Sequence, residues 1–243
     1  MKTDVTTAAP LSVTSLLRTL DARRLRALFG NDAAVAAQWT RALAADGIPA
    51  AQLCYGRLLL EGTGVTRDAA AALGWFQRAA AQGDIDALNM VGRCFENGWG
   101  TTEDPEAAAD CFTRAAAAGH AWAQYNLGHL YLNGRGVERD FVAAYAYYRR
   151  AADQNHERAM NLVGRCTEEG WGTRRDFSAA ADWYRRSAEA GYFRGQYNWA
   201  TVLLRLRRVG EAAMWLERAA NGGTTAVRRA VHDLLGTIRL EPT

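Results

Sequence analysis

Lysine is almost absent from this chain of 243 residues. Lys2 is the only one, so nearly all of the positive charge, and with it the net charge of +3, comes from arginine. The composition is 49% hydrophobic and 23% charged with only four prolines, which excludes a disordered or collagen-like chain. The basic excess is too small and too dispersed to predict nucleic-acid binding. We therefore expect an alanine-rich globular protein.

Long apolar runs and paired cysteines are absent as well. No stretch approaches the eighteen consecutive apolar residues that predict a membrane-spanning helix. The opening MKTDVTTAAP contains Asp4 and no apolar run, so it lacks the core of a secretory signal. The four cysteines form no CxxC pair, and we expect free, mostly buried thiols. These absences together predict a cytoplasmic protein.

Self-similarity is the strongest pattern that is present. NMVGRCFENGWGT at 89–101 and NLVGRCTEEGWGT at 161–173 share ten of thirteen residues. The underlying interval is 36 residues, at which glycine recurs at 56, 92, 128 and 164 and aspartate at 32, 68, 104, 140 and 176. A fixed period of this length is typical of stacked repeat proteins.

Each repeat carries the pattern of two helices. In 86–97 the apolar positions follow an i, i+3, i+4, i+7 spacing, and the Gly98-Trp99-Gly100 turn ends this first helix. Asp104 is the predicted N-cap of a second helix that ends near Ala118. Glycine inside a helix is unfavourable, so Gly92 and its equivalents predict a close helix contact. We predict an all-α fold, a right-handed α-solenoid of stacked helix pairs with a 36-residue period.

The two ends depart from the period. We predict a flexible N-terminus at 1–10, a degenerate N-terminal capping repeat at 11–48, and four full repeats and one shortened repeat at 49–224. A C-terminal capping helix and tail should occupy 225–243. Trp215 follows Trp183 by 32 residues, which indicates a deletion near 206–210 that removes the loop glycines of the last repeat. The tryptophans at 39, 75, 183 and 215 are predicted to lie in the core.

The stretch AWAQYNLGHLYLNGRGVERD at 121–140, followed by AYYRRAA at 146–152, closely resembles the Sel-one-like (Sel1-like) repeat family. The resemblance implies a helix-pair solenoid related to tetratricopeptide arrays, and a protein-binding adaptor. It departs from the secreted, disulfide-linked branch, because only one repeat has a cysteine in both helices. The GRCxExGWGT units are similar to those of small cytoplasmic bacterial members that accompany iron-uptake receptors and an iron(II)-dependent dioxygenase.

The candidate partner-binding residues lie on the first helix of each pair. Asn89, Arg93 and Glu96 share one face, and Asn161, Arg165 and Glu168 repeat it. Tyr125 and His129 hold the equivalent positions in the repeat between them, and Tyr197 in the repeat after. Stacking would join these faces into one groove, where arginine and tyrosine are typical anchors. Alternatively, the Arg/Glu pairs are solvated helix pairs.

Trp99 and Trp171 lie between loop glycines. Each is either an exposed anchor for a partner or a side chain that folds back over its own helix pair. The loop glycines lack a phosphate-binding motif, and we find no catalytic triad and no metal-ligand spacing.

We therefore predict a non-catalytic protein-protein interaction module without cofactor or metal. It should bind a protein or peptide in the groove, with membrane binding excluded and nucleic acid not expected. The alternative is an accessory subunit of an enzyme, such as an iron(II)-dependent oxygenase linked to iron uptake.

Overall fold

The computed structural model describes residues 32–240, and within this range the chain forms twelve α-helices and no strand. The helices are α1 (Ala33–Ala45), α2 (Pro49–Glu61), α3 (Ala69–Ala81), α4 (Ile85–Asn97), α5 (Pro105–Ala117), α6 (Ala121–Asn133), α7 (Phe141–Asp153), α8 (Glu157–Glu169), α9 (Phe177–Glu189), α10 (Phe193–Arg205), α11 (Val209–Gly222) and α12 (Thr225–Leu240). The predicted N-terminal segment 1–10, the helix predicted within 11–28 and the last three residues lie outside the described range.

The 36-residue period is a period of helix starts. The first helices α2, α4, α6, α8 and α10 begin at residues 49, 85, 121, 157 and 193, and each is 13 residues long. The second helices α1, α3, α5, α7 and α9 begin at residues 33, 69, 105, 141 and 177. Only α11 breaks the interval, because it begins at Val209, 32 residues after Phe177. The predicted all-α solenoid and its period are confirmed.

The chain divides into two compact units, residues 1–111 and 112–243. In the first unit α1 packs on α2, α2 on α3 and α3 on α4. In the second, each helix from α6 to α12 packs on the next, and α8 also contacts α10. Each unit is thus a stack of helix pairs.

The recurring aspartates begin the second helices. Asp104 Oδ1 accepts a hydrogen bond from the Ala107 amide at 2.9 Å, and Asp32, Asp68, Asp140 and Asp176 cap their helices in the same way. Each cap satisfies amides that have no partner inside the helix. This bond explains the aspartate at each interval.

The recurring helix glycines lie beneath an aromatic ring. A Cβ at Gly128 would lie 2.7 Å from Cε1 of Tyr148, and one at Gly164 would lie 2.7 Å from Cε1 of Tyr184. In the first unit Phe76 covers Gly56 similarly. The predicted close helix contact is confirmed, and the group that approaches is a ring from the second helix of the same pair.

The loop glycines make a second close contact. Gly64, Gly100 and Gly172 have positive φ, and a Cβ on them would overlap the carbonyl groups of Ala33, Ala69 and Phe141. Each of these carbonyls belongs to the first residue of the preceding second helix. The loop of one repeat therefore lies against the helix start of the repeat before it.

The aromatic core follows the prediction except at the N-terminal end. Trp183 is buried, but Trp39 on α1 is 60% exposed, so its assignment to the core is wrong. Trp75 is partly covered because Tyr55 of α2 packs edge-on against it, with ring centroids 5.6 Å apart. The four cysteines are buried thiols, as predicted. No helix between residues 32 and 240 is both long and apolar enough to cross a membrane.

Candidate functional site

In the second unit, a cleft of about 330 Å³ opens between α8 and α10 and reaches α12. Its lining contains four of the predicted contact residues, Asn161, Arg165, Glu168 and Tyr197, together with Leu162, Glu169, Tyr184, Arg194, Asn198 and Val227. We call this the α8–α10 cleft. The cleft forms here because α8 and α10, the first helices of successive repeats, lie side by side.

The floor of the α8–α10 cleft is a pair of amides. Asn198 Nδ2 donates a hydrogen bond of 2.8 Å to Asn161 Oδ1, and Asn161 is only 5% exposed. In the first unit Asn89 is similarly buried. Asn161 therefore forms part of the floor of the groove and does not project from it. Amide groups both donate and accept hydrogen bonds, which suits contact with a peptide backbone.

The repeated arginine and tryptophan of the GRC segments pair with each other. The guanidinium of Arg165 lies over the ring of Trp171, 4.9 Å from its centroid, and Arg93 lies over Trp99 at the same distance. Trp171 is half-buried, packs on the core around Val163, and lies parallel to Phe141. Of the two interpretations of these tryptophans, the structure favours the one in which the ring folds back.

Glu168 is held on both of its oxygens. Tyr184 donates its hydroxyl to Oε2 at 2.7 Å, and Arg205 Nη1 lies 3.0 Å from Oε1. Burial, together with the bond to the Glu168 carboxylate, raises the pKa of Tyr184, so the hydroxyl remains a donor. The charge of Glu168 is thus largely neutralised from within the chain.

Two arginines of the cleft have no such counterion. Arg165 and Arg194 are exposed, and neither has a carboxylate partner among residues 32–240. Both line the α8–α10 cleft. With Glu168 already paired, Glu169 is the remaining acidic group of the lining, so the cleft favours an anionic ligand.

Tyr125 and His129 belong to an aromatic cluster on α6. Tyr125 stacks on His156, with ring centroids 4.9 Å apart, and meets His129 edge-on at 4.7 Å. Burial, and then the positive charge of Arg194, lower the pKa of His129 to about 4. Neither side chain lines the α8–α10 cleft. His129 is therefore uncharged near neutral pH and packs chiefly as an aromatic ring.

The first unit has a cleft of its own, of about 410 Å³, between α2 and α4. It is lined by Arg57, Leu60, Glu61, Arg67, Met90, Arg93 and Trp99. Arg93 also lies 3.8 Å from the Met90 sulfur, so its position is set within α4. Glu96 is half-buried and is not part of this lining. This α2–α4 cleft is also rich in arginine.

Sequence reasoning missed Tyr184, Arg194 and Asn198 in the α8–α10 cleft. The 36-residue register points to Tyr197, Thr201 and Leu204 on α10, but Thr201 and Leu204 do not line the cleft. The pairs that form, Asn161 with Asn198 and Glu168 with Arg205, are 37 residues apart. One additional residue rotates a helix position by about 100°. That rotation turns the side chain on α10 toward α8.

Within residues 32–240 no three His, Cys, Asp or Glu side chains gather as a metal-binding group. Burial raises the pKa of the Cys54, Cys94 and Cys166 thiols to about 11, which makes them poor nucleophiles at neutral pH. The arrangement in both clefts is suited to noncovalent recognition.

A family profile for the Sel1 repeat matches residues 49–84, 85–120, 123–156, 157–192 and 209–224. Comparison with curated protein sequences finds no match.

Solved structures are similar over most of the chain. A protective antigen of uropathogenic Escherichia coli with an SLR fold shares 27% identity at a TM-score of 0.71, over 91% of this chain and 48% of that one. This chain therefore spans about half the length of that antigen. A Sel1 repeat protein from Oxalobacter formigenes shares 25% identity at a TM-score of 0.75, over 85% and 86% of the two chains. A Sel1 repeat protein from Klebsiella pneumoniae has the same fold at 19% identity and a TM-score of 0.55, over 81% and 98%.

Proposed function

This chain belongs to the Sel1 repeat family, whose members are in general protein-interaction scaffolds, and from that premise we propose that it is a non-catalytic adaptor. It binds a protein or peptide in the groove along the first helices of its repeats. The α8–α10 cleft is the main contact in the second unit, and the α2–α4 cleft is a second contact surface in the first.

The observation that carries this proposal is the composition of the α8–α10 cleft. Arg165 and Arg194 present two guanidinium groups without a counterion above a floor of paired amides. A carboxylate of the partner accepts hydrogen bonds from the arginines, and its backbone lies along Asn161 and Asn198. Tyr197 supplies a flat wall for a side chain of the partner. Arginine and tyrosine are the side chains most often found at energetic centres of interfaces.

The α2–α4 cleft offers Arg57, Arg67 and Arg93 against one carboxylate, Glu61. It has the same preference for an acidic ligand, and the half-buried ring of Trp99 forms part of its wall. Tyr125 and His129 lie against α8 as a packed aromatic surface, and we assign them a supporting contact. The alternative, an accessory subunit of an iron(II)-dependent oxygenase, gains no support from either cleft or from the comparisons.

The test is a cross-linked pull-down from cells that express the tagged protein. Partners retained by the wild type are compared with those retained by Arg165→Ala/Arg194→Ala and by Arg93→Ala. The control is Arg185→Ala, because Arg185 is an exposed arginine on α9 that pairs with Asp182 and Glu189 outside the cleft.

We expect the double variant to lose its partner at least tenfold while the control retains it, with unchanged helicity by circular dichroism. A partner that all variants retain equally would place binding away from both clefts.

A further inference from the structure

The last connection of the repeat array is shorter than the others. Between α8 and α9 the chain runs from Gly170 to Asp176, whereas between α10 and α11 it runs only from Leu206 to Arg208. The shortened connection turns through Arg207, which adopts a positive φ of 61°. It contains neither of the loop glycines nor the tryptophan of the preceding repeat.

The full-length loop has a definite role where it is present. The Trp171 ring stacks on Phe141, the first residue of α7, with centroids 6.1 Å apart and an angle of 18° between the planes. Gly172 rests against the Phe141 carbonyl. A tryptophan followed by a glycine thus covers the start of the preceding second helix, and Phe141 is left 38% exposed.

The start of α9 has no such cover. Phe177, which is equivalent to Phe141, is 54% exposed, and Leu206 beside it is 58% exposed. Between them lies a cleft of about 530 Å³, lined by Glu168, Phe177, Ser178, Ala180, Ala181, Tyr184, Val202, Arg205 and Leu206. We call this the α9–α10 cleft. Its volume is within the range of ligand-binding pockets, and most of its lining is apolar.

The charged groups around the α9–α10 cleft are mainly arginines. Glu168 is already bonded to Arg205 and Tyr184, so its charge is neutralised. The Arg175 guanidinium lies 4.6 Å from the centroid of the Phe177 ring. Arg174 and Arg207 are exposed on the two connections that flank the opening. The surroundings therefore favour a ligand that carries carboxylates.

We propose that the α9–α10 cleft binds an acidic segment of a partner protein that carries a tryptophan next to glycine. The indole occupies the place beside Phe177 that the missing loop would fill, and the flanking carboxylates pair with Arg175 and Arg207. The chain thus takes the missing cover of its last repeat from its partner. This surface is separate from the arginine pair of the α8–α10 cleft and does not depend on it.

The chain itself provides a probe. Residues 96–104, ENGWGTTED, place a tryptophan between glycines beside three carboxylates. This nonapeptide, fluorescently labelled and capped at both ends, is titrated with the full-length protein, and binding is followed by fluorescence anisotropy. Two peptides serve as controls: the same sequence with alanine in place of tryptophan, and residues 168–176, EEGWGTRRD, which keep the tryptophan and glycines but include two arginines.

We expect saturable binding of the acidic peptide, at least tenfold weaker without the tryptophan because the ring provides most of the buried area. The peptide with two arginines should bind about fivefold more weakly at low salt, and this difference should shrink as salt screens the charges.

Protein variants locate the site. Leu206→Asp places a carboxylate at the opening and should weaken binding at least tenfold, whereas Met214→Asp, an equally exposed change on α11, should have no effect. Arg165→Ala/Arg194→Ala should also leave peptide binding unchanged, which separates this site from the proposed adaptor groove.

Three results would overturn the proposal: no binding at protein concentrations up to about 1 mM, the weakest specific range; binding that Leu206→Asp leaves intact; or self-association of the protein that Leu206→Asp abolishes while the peptide does not bind. The last result would assign the cleft to a second copy of this chain.

Discussion

At the scale of single residues, Arg165 and Trp171 show how one side chain can serve both stability and recognition. The guanidinium lies over the indole ring, and the same group faces the α8–α10 cleft. Stacking on the ring restricts the arginine, so less conformational entropy is lost when a ligand binds. The recurrence of this pair as Arg93 and Trp99 explains why both residue types are repeated in the sequence.

Removing Arg165 should have a small effect on folding. An exposed cation–π pair contributes about 0.5–1 kcal/mol, so Arg165→Ala should lower the free energy of unfolding by about that amount. A double-mutant cycle with Trp171→Leu, measured by urea unfolding, should give a coupling energy of the same size. A coupling near zero would show that the two side chains only happen to be adjacent.

His129 predicts a dependence of stability on pH. Its folded-state pKa is about 4, below the ordinary value of 6.5, because it is buried against Tyr125 and Tyr148 and lies near Arg194. Between these values the unfolded chain binds a proton that the folded chain does not, so stability falls as pH falls from 6.5 to 4. The contribution of this one group is at most about 3 kcal/mol.

His129→Phe keeps a ring at this position and removes the proton. The free energy of unfolding of this variant, measured by denaturant titration at several pH values, should therefore decline less between pH 6.5 and pH 4 than that of the wild type. Identical slopes would mean that His129 is protonated in the folded state as readily as in the unfolded chain.

At the scale of elements, the helix glycines give a matched pair of substitutions in α2 and α3. A Cβ at Gly56 would lie 2.5 Å from Cε1 of Phe76, whereas a Cβ at Gly74 would meet nothing within 4 Å. Gly74→Ala should stabilise the protein by about 0.5–1 kcal/mol, because alanine is the better helix former. Gly56→Ala should instead destabilise it by about 1–3 kcal/mol through overpacking. Thermal melting of both variants tests the contrast, and stabilisation by both would refute the close contact.

The helices were predictable from sequence, and the clefts only in part. Asp104, Gly92 and the Gly98-Trp99-Gly100 turn act within a few residues of their own position, so the pattern indicates each helix boundary directly. The clefts depend on contacts between helices, such as Glu168 with Arg205. A period of 36 aligns equivalent positions, but contact requires the faces that are turned toward each other. Arg194 and Asn198 were therefore missed although Arg165 and Tyr197 were found.

At the scale of the whole molecule, stability in an array of stacked helix pairs is the sum of local contributions. In the second unit α12 covers the last pair, and its buried Val231 contacts a core formed by residues such as Leu203 and Leu216. A change at this end should therefore affect the nearest helices first.

Val231→Asp tests this local behaviour. An unpaired buried carboxylate costs about 3–5 kcal/mol, so amide hydrogen exchange should accelerate strongly in α10 and α11. Exchange in α6 and α7 of the same unit should change much less. Met214→Asp is the exposed control. Uniform acceleration from α6 to α12 would show that the unit unfolds as one cooperative body.

The contact of the loop glycines has a consequence for how such a chain grows. Gly64, Gly100 and Gly172 rest on backbone carbonyls, and the residues that bear those carbonyls are alanine in two cases and phenylalanine in the third. Because the joint is made between main-chain atoms, it is indifferent to the side chains on either side. A copied segment can be inherited at a new place and fit there without adjustment. The GRC segment at 89–101 could thus reappear at 161–173, and each copy remained free to acquire its own specificity.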